Sequence, residues 1–490
     1  MPNGKKKEKI MKKTHKLLAI LLIVCMALCV VACGDNSGTT EKHVQGVDRV
    51  NHVIKIGNTA ATTGAFASVG VPFNYAQEAY LWYFENHTAG YSDSLGAKYG
   101  FEFVHYDDEF NGSKGYTYTQ KLVEDDEVFA LVGHFGSNTV AATVDYIEEQ
   151  GIPMVYGVCG VSELYDTERN IMTVQPIYET EGRSMLATAY APVEAGGLGG
   201  TKVGVIYTTD DAGFGMVAGI REEEKALGKA VVYQSTAADA TDDAAQVAAL
   251  KAAGCDVVII ATNQAPFIRI GASFISQGYD NVKIITSYVS ANAAAMGGLV
   301  TSGVITDTRE VYAGAWLVTG SAPTETKGWA DFVEFVKVMT LYDKAHGVEL
   351  IPNMPMVNPV TGDPYDLLDL YFGTLNMETF QYERFDWAAD GVSAYFLNSY
   401  AMAGYVSANV FCQGLERMNG KDLNWEDFIS AMEEAPINVP MGTSVSYVGG
   451  QRIGIDALAL NKYTPADAAA GGSVYRGITG LGELEAAIRG

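Results

Sequence analysis

Between Val128 and Val155 the hydrophobic period changes twice, and that leaves few folds open. An apolar run from Val128 ends at Gly133, the polar trio Ser137, Asn138 and Thr139 follows, and Val140, Val144 and Ile147 then recur at helical spacing. Gly151 closes that segment and a second apolar run, Ile152–Val155, begins. The spacing predicts strand, helix and strand, the repeating unit of a parallel sheet. In such sheets ligands collect past the carboxyl ends of the strands, where the N–H groups of the next helix are unsatisfied. Ser137, Asn138 and Thr139 are therefore candidate ligand contacts.

The same alternation runs along most of the chain. Val53–Gly57 and Phe101–Tyr106 read as strands before this unit, and a second series follows at Lys202–Tyr207, Ala230–Tyr233, Cys255–Ala261 and Val282–Thr286. Two series of strand and helix predict an α/β chain of two doubly wound, Rossmann-like lobes joined by a hinge. The first lobe is expected over 51–172 and about 309–447, the second over 173–308 and about 448–490. Residues 347–390 mix Pro, Gly, Asn and aromatics without a period and read as an insertion within the first lobe. Arg452–Leu458 reads as a late strand.

The N-terminus has a different character. Seven lysines precede an apolar run, Leu17–Ala32, which is short for a membrane span and reads as an export signal. Val30-Val31-Ala32-Cys33-Gly34 resembles the bacterial lipobox, which implies a signal peptide over 1–32, lipidation at Cys33 and a location on the extracytoplasmic face of the membrane. Residues 33–50 read as a flexible tether. The formal charge of −25 excludes a nucleic-acid partner on electrostatic grounds. Past Cys33 only Cys159, Cys255 and Cys412 remain, with neither disulfide nor zinc spacing, so buried free thiols are expected.

An ordered set of residues carries a further resemblance: Ile54-Lys55-Ile56-Gly57, Thr63-Gly64-Ala65-Phe66 with Gly70, Asp107-Asp108, Leu131-Val132-Gly133 with Ser137 and Thr139, Gly151-Ile152-Pro153, and Asp211 with Phe214-Gly215. It resembles the branched-chain amino-acid (Leu/Ile/Val) binding proteins of ABC importers over nearly all of the chain after Asn51. The resemblance implies a type I periplasmic-binding-protein fold that closes over one small solute and presents it to permease subunits. It also implies that Ser137 helps hold a ligand carboxylate; the same serine could simply cap its helix, and the two roles are compatible.

Two family features are missing. Where a Thr hydroxyl is expected after the fourth strand the chain has Cys159-Gly160, and the loop Ser287–Asn292 has no acid to pair with an ammonium group. An unpaired ammonium in a closed cleft costs several kcal/mol, so an amide, aromatic or amphipathic solute is favoured over an ordinary α-amino acid. The candidate contacts are Phe66, Ser68, Ser137, Asn138, Thr139, Cys159 and Gly160 on the first lobe, and Phe214, Asn263, Gln264 and Tyr288 on the second. Phe214 has hinge packing as its alternative role, Asn263 and Gln264 have helix capping, and Tyr288 has burial against the sheet.

An enzyme is not expected, and no cofactor or metal is called for. Gly213, Gly215 and Gly219 form a loose dinucleotide fingerprint, but the next strand ends without the acid that holds a ribose. His134 and Ser137 lack a third partner for nucleophilic chemistry. A sensor domain that reports occupancy to a membrane receptor is the alternative to an importer subunit.

Overall fold

The computed structural model describes residues 44–64, 67–165, 167–291, 293–317, 327–351, 391–396, 398–466 and 473–490, with four short strands between 356 and 384. The signal run, Cys33, Phe66 and most of 347–390 lie outside the described residues.

The first sheet comprises β1 (Val47–Asp48), β2 (Val53–Ala60), β3 (Tyr91–Ser92), β4 (Lys98–Asp107), β5 (Ala130–Phe135), β6 (Met154–Val158) and β7 (Ile171–Met172). Its order is β3-β4-β2-β5-β6-β7, with β1 on β2. Pairing is parallel from β4 through β7, and β1 and β3 run antiparallel at the margins. The segment read as a tether up to Val50 thus enters the fold earlier than expected. Gln45 Nε2 donates to Val123 O (2.9 Å) and Val128 O (3.2 Å), which fastens β1 to the body.

The second sheet holds five parallel strands: β8 (Val203–Thr208), β9 (Val231–Thr236), β10 (Val257–Ala261), β11 (Val282–Thr286) and β12 (Arg309–Ala315). The antiparallel strands Ala457–Tyr463 and Val474–Gly480 extend it beyond β12. Every residue of β10 is buried, as befits a central strand covered on both faces. Both sheets are so covered, each by two separate apolar clusters. This is the α/β architecture of two doubly wound lobes.

The chain crosses between sheets at Thr173–Ile177, after Ala315, and again over Tyr447–Asp456. The second crossing corrects the boundary expected near residue 309. β12 pairs with β11 in the second sheet, and only from Trp316 do side chains join the first core. The helices Lys327–Ala345 and Ser399–Arg417 then cover the first sheet beside the helix Ala67–His87. A bridge between Ile351 and Val392 closes the base of the 347–390 segment, whose described parts are two short antiparallel ribbons. The expected late strand also shifts: it occupies Ala457–Tyr463, while Arg452 is buried in the third crossing.

Candidate functional site

At the carboxyl end of β4 two adjacent acids organise the loops. Asp108 is fully buried and accepts from the Thr59 hydroxyl (2.9 Å), the Thr139 hydroxyl (2.7 Å) and the Phe110 N–H (2.9 Å). Burial pushes its carboxyl up, against the pull of these donors. Asp107 is also pushed up by what burial it has, but the Thr63 hydroxyl and the N–H groups of Glu109 and Thr62 outweigh that and hold it low. Glu109 and Phe110 take positive φ values of 52° and 59°, so the chain doubles back and brings the Phe110 ring over Gly136.

That pinning determines what the next helix offers. Helix Ser137–Gln150 is preceded by Gly136 at φ 101°, with no side chain capping its first turn. Its leading N–H groups are thus available to an anion. Ser137 is half-buried as the first helical residue, and its hydroxyl has no partner among the described residues. It is not the cap, since Gly136 occupies that place. Thr139 departs from its expected role. Its hydroxyl is bound to Asp108 and its methyl packs where a Cβ on Gly115 would collide, so it braces the loop from beneath. Asn138 is exposed and turns its amide to Phe110 O (3.1 Å). Ser68 is exposed in the first turn of Ala67–His87.

Cys159 also departs from expectation. It is buried in the first lobe's core beside Val140, Leu164 and Ile177, and burial pushes its thiol up to about 12. Gly160 lies where the lobes meet: its carbonyl accepts the Tyr178 N–H (2.8 Å), and a Cβ there would touch the Tyr178 ring. A Cβ on Gly215 would come 3.2 Å from Ser162 Oγ, so the loops after β6 and β8 approach each other.

On the second lobe, Phe214 is 53% exposed in the first turn of Asp211–Leu227, its ring centroid 6.4 Å from that of Tyr207. Asp210 caps that helix through the Gly213 N–H (2.9 Å), so its terminus already carries a carboxylate. Helix Gln264–Ser276 differs: Asn263 precedes it, exposed and without a side-chain capping bond. Gln264 opens that helix, and its side chain is outside the described set.

Tyr288 turns inward. Its hydroxyl donates to Pro176 O (2.9 Å) and accepts from Gln175 Nε2 (3.1 Å), while Gln175 Oε1 accepts from Tyr156 (2.6 Å). A chain of polar groups therefore joins β6, the first crossing and the end of β11. Sequence reasoning missed Tyr156 and Gln175, and it also missed Glu181. The Glu181 carboxylate, fully buried on helix Tyr178–Tyr190, accepts from the Ser287 hydroxyl and the Tyr288 N–H, both at 2.8 Å. Burial raises it to about 7 despite those two donors. The loop without an acid of its own thus borders an acid from another element.

Two chemical alternatives lose their residues. His134 is fully buried with Nε2 beside the Thr119 and Thr143 hydroxyls (3.1 and 3.4 Å), and burial lowers its pKa to about 4. The glycines of the loose dinucleotide pattern serve packing: a Cβ on Gly219 would stand 1.9 Å from Glu179 O, and one on Gly215 would stand 2.8 Å from Tyr178 Cβ. Among the described residues no cluster of His, Cys, Asp or Glu could hold a metal ion, and no helix is long and apolar enough to cross a membrane.

A family model described as periplasmic binding protein matches residues 53–315. The chain belongs to that family. Solved periplasmic binding proteins share its fold at low identity. A fatty acid ABC transporter substrate-binding protein from Thermomonospora curvata is 17% identical, with 89% of this chain and 93% of that one covered and a TM-score of 0.56. An ABC transporter solute-binding protein from R. palustris, solved with benzoate, is 15% identical over 87% and 96%, with a TM-score of 0.55. A leucine-binding protein from Thermotoga maritima is 16% identical over 87% and 99%, with a TM-score of 0.56. No curated protein matches the chain in sequence.

Proposed function

We propose that this periplasmic binding protein is a lipid-anchored, extracytoplasmic receptor that closes its lobes over a small carboxylate-bearing solute and delivers it to an ABC-type permease. The observation that carries the reading is the uncapped start of helix Ser137–Gln150 with the unpartnered Ser137 hydroxyl beside it. Backbone N–H groups and a hydroxyl converging at a helix N-terminus suit a carboxylate. The ligands named for the three solved relatives, a fatty acid, benzoate and leucine, each carry one. Phe214 and Asn263 supply an exposed aromatic face and an exposed amide from the other lobe.

The remainder of the solute is apolar or amide-like. Glu181 already receives two donors and burial raises its pKa to about 7, so it makes a poor partner for an ammonium group. Closure is a population shift, and a ligand produces it only by touching both lobes in the closed form. Binding requires no bond to break, and the protein acts without catalysis. The lipobox-like sequence at Cys33 supports the anchor. Thermal-shift measurements against aliphatic and aromatic carboxylates, their amides, amino acids and sugars test the reading, because a ligand stabilises by RT ln(1 + [L]/Kd). Stabilisation by aromatic or aliphatic carboxylates and not by the matching amides is expected. Stabilisation by sugars alone would overturn it.

A further inference from the structure

The second lobe has a cavity of about 320 Å³ at the end of its sheet remote from the loops just described. Strand register assembles it. Lys283 in β11 pairs with Glu310 in β12, and Tyr312 pairs with Lys462 of the strand Ala457–Tyr463, so these side chains share one face. Leu460 and Arg476 complete that wall, and the turn Val193–Leu198 forms the rim. Lys283 and Glu310 are the second residues of their strands, at the amino ends, whereas Tyr288 and Asn263 follow the carboxyl ends. Five residues of β11 separate the two regions by roughly 15 Å.

The cavity's charge is opposite to that of the chain. Lys283, Lys462 and Arg476 line it with Glu310 as the one acid, in a protein of net charge −25. Lys462 is paired with Glu310, which also accepts the Tyr312 hydroxyl (2.8 Å). Lys283 donates to Leu198 O (2.7 Å), a neutral acceptor, and Arg476 is exposed with no partner among the described residues. Three cations therefore face one carboxylate, Lys283 as well as Lys462 acting on Glu310, and the cavity carries a net positive charge. Val193, Leu198 and Leu460 add apolar surface between the charged groups, which suits the carbon skeleton of an organic ligand.

We propose that this cavity binds a small organic dianion, with Lys283 and Arg476 each taking one negative group and the apolar rim covering the carbon skeleton between them. Charge-assisted hydrogen bonds from Lys and Arg are the contacts that such a ligand can use and a neutral one cannot. The site is independent of the solute cleft and of the reading given to it.

Isothermal titration of the full chain in detergent, at fixed ionic strength, tests this with succinate and phthalate as dianions, hexanoate as a monoanion and inorganic phosphate as a bare ion. With the cleft disabled by Ser137→Ala/Phe214→Ala, at least one dicarboxylate is expected to bind with Kd below about 1 mM, and about tenfold tighter than hexanoate or phosphate. Arg476→Gln and Lys283→Gln should each weaken it by about tenfold, and the double variant should abolish it. Arg476→Gln changes an exposed side chain and keeps the test valid if Lys283→Gln folds poorly. Loss of that binding in Ser137→Ala/Phe214→Ala would assign it to the cleft and overturn the proposal. So would the absence of dicarboxylate binding, equal binding of hexanoate or phosphate in that cleft variant, or indifference to Arg476→Gln.

Discussion

Glu181 makes stability depend on pH in a direction opposite to that of most carboxylates. Its side chain is fully buried, and burial raises its pKa from the ordinary 4.5 to about 7. The folded protein therefore holds a proton that the unfolded chain releases between those values, and stability falls as pH rises through that window. Each tenfold difference in proton affinity is worth about 1.4 kcal/mol, so the full displacement destabilises the ionised protein by ~3 kcal/mol, most of which develops between pH 5 and pH 8. Other acids raised by burial, among them Asp108 and Glu78, add slopes of the same sign. A difference measurement isolates Glu181. Glu181→Gln keeps the shape and a hydrogen-bonding amide while removing the titration. Urea unfolding of both proteins at pH 5 and pH 8 should show the variant losing about 2–3 kcal/mol less than the wild type across that interval. Equal losses would refute the reasoning and mean that Ser287 and Tyr288 solvate the carboxylate as well as water does.

Other substitutions separate bracing from binding. Asp108→Ala strands the hydroxyls of Thr59 and Thr139 and the Phe110 N–H, and should cost about 3 kcal/mol in urea unfolding. Ser137→Ala with Phe214→Ala removes no protein contact of comparable weight; unfolding should shift by less than about 1 kcal/mol, while calorimetric affinity for the solute falls by at least about tenfold. Unchanged affinity would show that the solute sits elsewhere. Arg452→Met removes a buried guanidinium that donates to Arg169 O, Gln451 O and Glu433, and should cost about 3–5 kcal/mol in the same unfolding assay.

The fold was legible because burial on both sheet faces writes itself into local runs. Val257–Ala261 is apolar throughout, and the switch from that period to helical spacing recurs in both lobes. Lobe membership was less legible at the crossings. Nothing within Arg309–Ala315 says which sheet it will join, since that depends on β11 and on the strand Ala457–Tyr463, about 150 residues later. The site divides in the same way. The position of Ser137 at the start of its helix could be read because a strand, a glycine and a helix start lie within ten residues. Thr139, two residues on in the same helix, spends its hydroxyl on Asp108, 31 residues away in sequence.

Glu181 shows the limit most clearly. The family pattern places an acid in the loop Ser287–Asn292, because it ties function to a position in the chain. The fold supplies one 106 residues upstream, on helix Tyr178–Tyr190, bonded to Ser287 and to the N–H of Tyr288. Its surroundings give it a different character from an exposed clamp. Burial raises its pKa to about 7, and the same loop continues through the Tyr288 hydroxyl to Gln175 in the first crossing and Tyr156 in the first lobe. A charge on Glu181 is therefore placed to act on the joint between the lobes as well as on stability. Lobe closure is a shift between two packed states, so any difference in Glu181 proton affinity between open and closed forms must appear as a pH dependence of solute affinity between about pH 5 and pH 8. Measuring that affinity in wild type and in Glu181→Gln decides the matter: a pH dependence that vanishes in the variant ties the joint to the acid, and one that persists assigns it to the solute's own carboxyl or to another group.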